Sequence, residues 1–219
     1  MLVSDYLSHI TKGEVKQLYL SDIGTTTPNA VQQANIDTLI TYINEANLEL
    51  HKHFGLIQKE YVLTDVTNNS LHSIPVDFLY AISATFDDGR EVAINNERTN
   101  FIDDIDYNVS VLFPAPFKVL VKGLDTKSPP KDDISIVYVS IPPVVTLTTD
   151  FIDLPQVYNE ALYNYVAYKA HASVKGDMKA ENNTYYLRYN ESIKNIRLLG
   201  MKNSDNLDSN VKLIDRGFV

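Results

Sequence analysis

The sequence predicts an α+β protein in which helices near both ends of the chain enclose a central antiparallel β region. Apolar residues recur at three- and four-residue steps over residues 36–54 and again after Pro155, as amphipathic helices require. Between these stretches lie short runs rich in Val, Ile, Tyr and Phe, separated by turn-forming residues. We expect a helical bundle, formed by an N-terminal helix and a long C-terminal helical hairpin, with an inserted β region and an extended C-terminal tail.

This pattern divides the chain into segments. We assign residues 1–58 to the N-terminal helices of the helical body and residues 59–149 to the inserted β region. Residues 150–200 form the C-terminal helical hairpin of the helical body, and residues 201–219 form an extended docking tail.

The N-terminal part is expected to be helical with one break. Residues 14–20 fit a short helix, and residues 21–29 contain the hydroxyls, glycine and proline of a loop. The longer helix carries its apolar stripe over residues 36–54, and Gly55 follows where a left-handed terminator is expected.

From residue 59 the apolar period changes to two, which predicts strands. Asp88 and Gly89 tolerate the positive φ of a tight turn and therefore predict a hairpin there. The proline pairs at 129–130 and 142–143 cannot donate to a ladder, so they should mark strand ends or edges. The expected strands are 59–67, 71–75, 77–86, 91–95, 109–113, 117–121 and 134–141.

The C-terminal hairpin is expected to begin at Pro155, which suits a first helical position, with Asp153 beside the positive end of the helix. Gly176 should end this helix and Asp177 should cap the next one, which stops at Gly200. The inner stripe of the first helix comprises Tyr158, Ala161, Leu162, Tyr165, Tyr168 and Ala172. That of the second comprises Met178, Tyr185, Tyr189, Ile193, Ile196 and Leu199.

The composition excludes several classes of function. Without cysteine the chain can form neither disulfides nor thiolate sites. Its formal charge of −9 argues against binding to nucleic-acid phosphates, because such binding requires clustered lysines and arginines. It has neither a bilayer-spanning apolar run nor a secretion signal, so we expect a protein made and used in a cytoplasm-like space with no membrane partner.

No motif indicates catalysis, a cofactor or a metal. His51 and His53 are two residues apart, so on a helix they point to different faces, and no third ligand is spaced to join them. Asp104, Asp106 and Asn108 begin a calcium-loop spacing that fails further on, where a glycine and a glutamate are missing. Phosphate-loop and nucleophile-elbow patterns are absent from the sequence. We therefore predict no enzymatic activity and no cofactor.

The C-terminal hairpin is rich in tyrosine. A helical Tyr stripe is often part of a core, but one seam between two helices cannot cover so many rings, so some should face another surface. Tyrosine is favoured at protein interfaces, whereas base stacking normally accompanies a basic groove. We assign Tyr163, Tyr186 and Arg188 to subunit packing. The tyrosines concerned are Tyr158, Tyr163, Tyr165, Tyr168, Tyr185, Tyr186 and Tyr189.

The order of these elements resembles the head-to-tail adaptor proteins, also called connector or ring proteins, of tailed bacteriophages. The likeness runs from residue 37 to residue 200, and the overall pattern suggests a short-tailed, crAss-like phage. It is carried by LITYINEANLELHKHFGL, KEYVLT, IPVDFLYAISATFDDGREVAINN, ISIVYVSIPP, IDLPQVYNEALYNYVAYKAH and TYYLRYNESIKNI. The large β region departs from the smallest members of that family.

The resemblance implies a homo-oligomeric ring of about twelve copies, closed by head-to-tail contacts. The ring would join the portal protein to the tail and its other ring proteins, at the head–tail junction of the virion. Double-stranded DNA would pass through its channel without specific binding, because carboxylates repel phosphates over roughly 8 Å. A C-terminal arm would dock on the portal or a neighbour, and the orphaned apolar residues for it are Val211, Leu213, Ile214 and Phe218.

Two other functions remain open. The β region could be a ligand- or glycan-binding module on a helical stalk, which predicts exposed aromatic residues on loops near Phe101, Tyr107 and Phe117. An enzyme would instead depend on a pair of carboxylates that the sequence does not single out.

Overall fold

A computed structural model describes residues 1–13, 15–18, 28–94, 109–124, 133–175 and 184–199. Over these residues it confirms the α+β class, with four α-helices and two β-sheets. The chain forms two compact units, a helical unit of Met1–Phe54 together with the chain from Pro142 onward, and a β unit of Gly55–Ile141. The units divide after Phe54 and after Ile141, whereas the segments drawn from the sequence divide after residues 58 and 149.

The helical unit begins with a helix whose apolar side chains face inward. Val3, Tyr6, Leu7 and Ile10 are all buried, and their three- and four-residue spacing is the signal from which this helix follows. Two short 3₁₀ turns, Lys16–Leu18 and Gln156–Tyr158, accompany the longer helices. The helices are α1 (Val3–Lys12), α2 (Ala30–Phe54), α3 (Asn159–Lys175) and α4 (Thr184–Leu198).

Helix α2 is 25 residues long and starts earlier than its apolar stripe. Asn29 and Gln32 cap each other reciprocally, because each side-chain oxygen accepts the backbone N–H of the other residue at 2.9 Å. The helix ends at Gly55, whose φ of +59° confirms the predicted left-handed terminator. An ion pair of 2.9 Å between Glu45 and Lys169 joins α2 to α3.

The structure differs from two of the predictions about the helices. Within the predicted helix 14–20, the described residues form only the turn Lys16–Leu18. Leu199, which the sequence placed on the inner stripe, is 66% exposed because it lies one residue beyond α4. Gly176, Asp177, Met178 and Gly200 lie outside the described residues.

The β unit contains two sheets that share one core. One sheet has the order β1-β7-β3 and is antiparallel, and the other has the order β2-β6-β5-β4. Buried side chains of both sheets, among them Ile136 of β7 and Val119 of β6, belong to the same cluster. The strands are β1 (Gln58–Leu63), β2 (Leu71–Ser73), β3 (Phe78–Phe86), β4 (Ala93–Ile94), β5 (Ser110–Ala115), β6 (Lys118–Lys122) and β7 (Ile134–Ser140).

The predicted turn at Asp88 and Gly89 is confirmed, but the hairpin is short. Gly89 has a φ of +85°, and the N–H of Phe86 donates to the carbonyl of Arg90 at 2.9 Å. After this turn β4 leaves β3 and pairs in parallel with β5 of the other sheet. The central region is therefore not wholly antiparallel. The strand end predicted at Pro142 is confirmed, since β7 stops at Ser140.

Candidate assembly surfaces

The seam between α3 and α4 is built from aromatic rings. Residue numbers rise along α3 as those of the partners fall along α4, so the two helices run antiparallel. The contacts, as distances between ring centroids, are Tyr165–Tyr189 at 5.2 Å, Tyr168–Tyr186 at 5.1 Å and His171–Tyr185 at 4.8 Å.

Another side of α3 packs against α1. The ring of Tyr163 stacks on Tyr6 with centroids 4.7 Å apart and lies 4.6 Å from the ring of His9. The Tyr6 hydroxyl donates to the carbonyl of Leu162 at 3.1 Å. Positions 163 and 165 are two residues apart and point about 200° apart on a helix. Helices α1 and α4 therefore contact different sides of α3.

These contacts account for the abundance of tyrosine. Tyr158 packs against Phe54 of α2 at 5.1 Å, so every tyrosine that the sequence singled out touches another ring of its own chain. The number of tyrosines consequently no longer points to a partner. Tyr163 and Tyr186 are half-buried, whereas Arg188 is exposed with its guanidinium 5.8 Å from the centre of the Tyr185 ring.

The structure does not bring the predicted interface residues together. Tyr163 lies on the α1 side of α3, while Tyr186 and Arg188 lie on α4. Their role in subunit packing stays a prediction. The predicted docking residues Val211, Leu213, Ile214 and Phe218 lie outside the described residues.

A surface that the sequence did not single out lies in the helical unit, on residues 142–151. Its centre is Val145, which is buried and held by the side chain of Asn44 on α2. The Asn44 amide nitrogen donates to the Val145 carbonyl at 2.8 Å, and the Val145 N–H donates to the Asn44 Oδ1 at 2.9 Å. One side chain therefore satisfies both backbone groups of a residue 101 positions away.

The same segment is fixed at its C-terminal end. One carboxylate oxygen of Asp150 accepts the N–H groups of Thr146 and Leu147 at 2.7 and 2.8 Å, and these hydrogen bonds lower the pKa of Asp150. The N–H groups of Val3 and Ser4, at the start of α1, donate to the carbonyls of Asp150 and Thr148. The segment is thus tied to two helices.

Large apolar side chains project from this fixed segment. Val144, Leu147 and Phe151 are 69%, 60% and 61% exposed. Leu2, which forms an isolated antiparallel bridge with Phe151, is also exposed. We call these four residues the apolar loop. Its signal in the sequence is weak, because the apolar residues of PPVVTLTTDF follow no helical or strand period.

A second exposed apolar surface lies on α4. Leu187 and Leu198 are 55% and 75% exposed, and their separation of eleven positions corresponds to about three helical turns. They therefore share one face, along which Glu191 and Lys194 lie between them, both exposed. We call this face the outer face of α4.

The described residues contain no group of three potential metal ligands. His51 is fully buried and its Nδ1–H donates to the carbonyl of Asn47 at 2.8 Å, while burial lowers its pKa. His53 lies within 3.0 Å of the Arg197 guanidinium instead. Asp104, Asp106 and Asn108 lie outside the described residues.

In the β unit, Phe117 lies in the turn between β5 and β6 with a φ of +58° and is exposed. Phe101 and Tyr107, the other aromatic residues considered for ligand binding, fall outside the described part. None of the described helices is long and apolar enough to cross a membrane.

The fold and its surfaces define an α+β protein whose helical unit presents fixed, exposed apolar side chains on two elements. Across residues 11–211 the chain matches the family model described as SU10 adaptor protein, and it belongs to that family. It is therefore a bacteriophage adaptor protein and a structural component of the virion. A search of curated proteins gives no match.

Proposed function

We propose that the protein is the subunit of a homo-oligomeric ring that joins the portal to the tail at the head–tail junction. The observation that carries this proposal is the match to an adaptor family over nearly the whole chain. The ring acts through contacts rather than catalysis. About twelve copies would close it by head-to-tail contacts.

Charge supports a role around a DNA channel. The chain has a formal charge of −9, with 28 acidic residues against 19 lysines and arginines. Carboxylates that line a channel repel the phosphates of passing DNA, so the genome is not held on the wall. Double-stranded DNA thus passes without specific binding.

The test is assembly on the portal. The full chain is produced together with the portal protein of the same phage, and the complexes are imaged by electron microscopy. We expect an annular density added to one end of the portal. A chain that stays monomeric and separate from the portal would contradict the proposal.

A truncation tests the tail within the same assay. Removal of residues 203–219 takes away Val211, Leu213, Ile214 and Phe218. The truncated chain should keep the far-ultraviolet circular dichroism of its helices but no longer join the portal. Normal recruitment of the truncated chain would remove the docking role from the tail without affecting the ring proposal.

The exposed Phe117 favours the alternative in which the β unit binds a ligand. An exposed aromatic ring on a turn suits stacking against a sugar. Binding of the isolated protein to immobilised glycans, lost on Phe117→Ala, would support that function. In the adaptor proposal this substitution leaves portal assembly unchanged.

A further inference from the structure

We propose that neighbouring copies meet through the apolar loop of one helical unit and the outer face of α4 of the next. This inference rests on the proposed ring function and assigns it a subunit interface. A ring closed by head-to-tail contacts needs two different, complementary surfaces on each copy. Both surfaces here belong to the helical unit, so one compact body carries the pair.

The two surfaces belong to different elements of that unit, which contact α3 from different sides. The apolar loop is tied to the first residues of α1, and α1 packs on the side of α3 that carries Tyr163. Helix α4 packs on the side that carries Tyr165. Because Tyr163 and Tyr165 point in different directions around α3, the two surfaces are separate, and one copy can contact a neighbour through each.

Their charges are complementary. Residues 141–160, which include Val144, Leu147 and Phe151 of the apolar loop, carry Asp150, Asp153 and Glu160 and no lysine or arginine, a net charge of −3. Helix α4 carries three cations and Glu191, a net charge of +2 in a protein whose total is −9. Two copies that present these surfaces to each other place opposite charges beside exposed apolar side chains, whereas two copies of the same surface would repel each other.

The apolar content matches that arrangement. The loop offers Val144, Leu147 and Phe151, and α4 offers Leu187 and Leu198, all more than half exposed in the single chain. Interaction sites between proteins combine such apolar side chains with polar and charged ones. The loop is already held in place by Asn44 and Asp150, so little ordering is needed on association. A second copy of this chain is therefore the occupant we assign to each surface.

Cross-linking tests this pairing directly. The chain contains no cysteine, so an introduced thiol is unique. Copies with Leu147→Cys are mixed with copies that carry Leu187→Cys, assembled on the portal, and treated with a thiol-specific bifunctional reagent. We expect dimers only in the mixture. A chain with both substitutions should give a ladder of cross-linked species.

The matched control replaces Leu147→Cys by Val31→Cys, an apolar residue of the same unit that is 71% exposed on α2. This mixture should give no dimers. Rings seen by microscopy without cross-linked dimers in the test mixture would overturn the interface and leave the ring proposal standing. Dimers between Leu147→Cys copies alone would also overturn it, because they indicate a two-fold contact. Absence of rings for the unmodified chain would refute both.

A second variant checks the energetic role. Leu147→Asp places a charge in the centre of the loop contact, and we expect the concentration needed for half-maximal assembly to rise by on the order of ten-fold. The fold should be unaffected, since Leu147 is exposed. Val31→Asp is the control and should assemble as the unmodified chain does. Equal assembly of both variants would contradict the interface.

Discussion

Replacing Asn44 by alanine should release the apolar loop from α2. The substitution removes two hydrogen bonds, of 2.8 and 2.9 Å, and leaves the N–H and C=O of the buried Val145 without their partner. Each such bond contributes about 1 kcal/mol, so we expect local opening of the loop to become easier by about 2 kcal/mol, or ~30-fold.

Amide hydrogen exchange at Val145 measures this change, because its N–H is one of the two donors. Exchange should accelerate by ~30-fold in Asn44→Ala. Thr41→Ala is the control: its hydroxyl, on the same helix, donates to the carbonyl of Asp37 at 3.0 Å and not to Val145, so exchange at Val145 should not change. Asn44→Asp keeps the acceptor for the Val145 N–H and should retain much of the protection. Unchanged exchange in Asn44→Ala would refute the view that this side chain fixes the loop.

Three further predictions concern stability. Gly55→Ala should destabilise the β unit by more than Gly89→Ala does, as measured by urea unfolding. Both glycines have a positive φ, but only at Gly55 would an added Cβ lie 3.1 Å from a side-chain atom of Val139; equal losses of stability would contradict this. Tyr189→Phe should leave the free energy of unfolding unchanged or raise it, because the buried Tyr189 hydroxyl has no hydrogen-bond partner among the described residues. Tyr6→Phe removes a hydrogen bond and should lower the free energy of unfolding by about 1 kcal/mol; the reverse order in thermal unfolding would refute the assignment. Burial lowers the pKa of His51 from its ordinary value of 6.5, so the unfolded chain binds more protons than the folded chain as the pH falls through 6.5. Stability should therefore decrease as the pH falls below about 7, and His51→Leu should flatten that decrease; an unaltered slope would contradict this.

The sequence predicts most of the elements because their signals are local. The stripe of α2 and the period of two in the strands depend on neighbours within one or two turns of the chain. The start of α2 was missed because residues 30–35 carry no apolar stripe, although the Asn29–Gln32 cap is readable as a pair three residues apart. Helix α1 was also readable from Val3, Tyr6 and Ile10.

Pairing between distant segments was not predictable in the same way. Nothing local in β4 indicates that it leaves β3 to pair with β5, since both partners offer similar strands. The ring that Tyr163 contacts was not predictable for the same reason. The seam between α3 and α4 does not cover the ring of Tyr163. This ring instead stacks on Tyr6, which is 157 positions earlier in the sequence. The number of aromatic rings on one hairpin does not indicate which residues from the other end of the chain will contact them.

The candidate interface depends on the same long-range contacts. The apolar residues of segment 142–151 have no period, and alone they would describe only a proline-containing connection. Asn44 and the first residues of α1 give that connection a fixed shape. A flexible connection would have to lose conformational entropy on binding, which costs roughly 1 kcal/mol or more for each residue ordered. The apolar loop is already ordered when the monomer folds. More of the free energy gained by burying its apolar side chains is therefore available to stabilise association. A variant that frees the loop, such as Asn44→Ala, should therefore weaken ring assembly even though Asn44 itself does not belong to the contact surface.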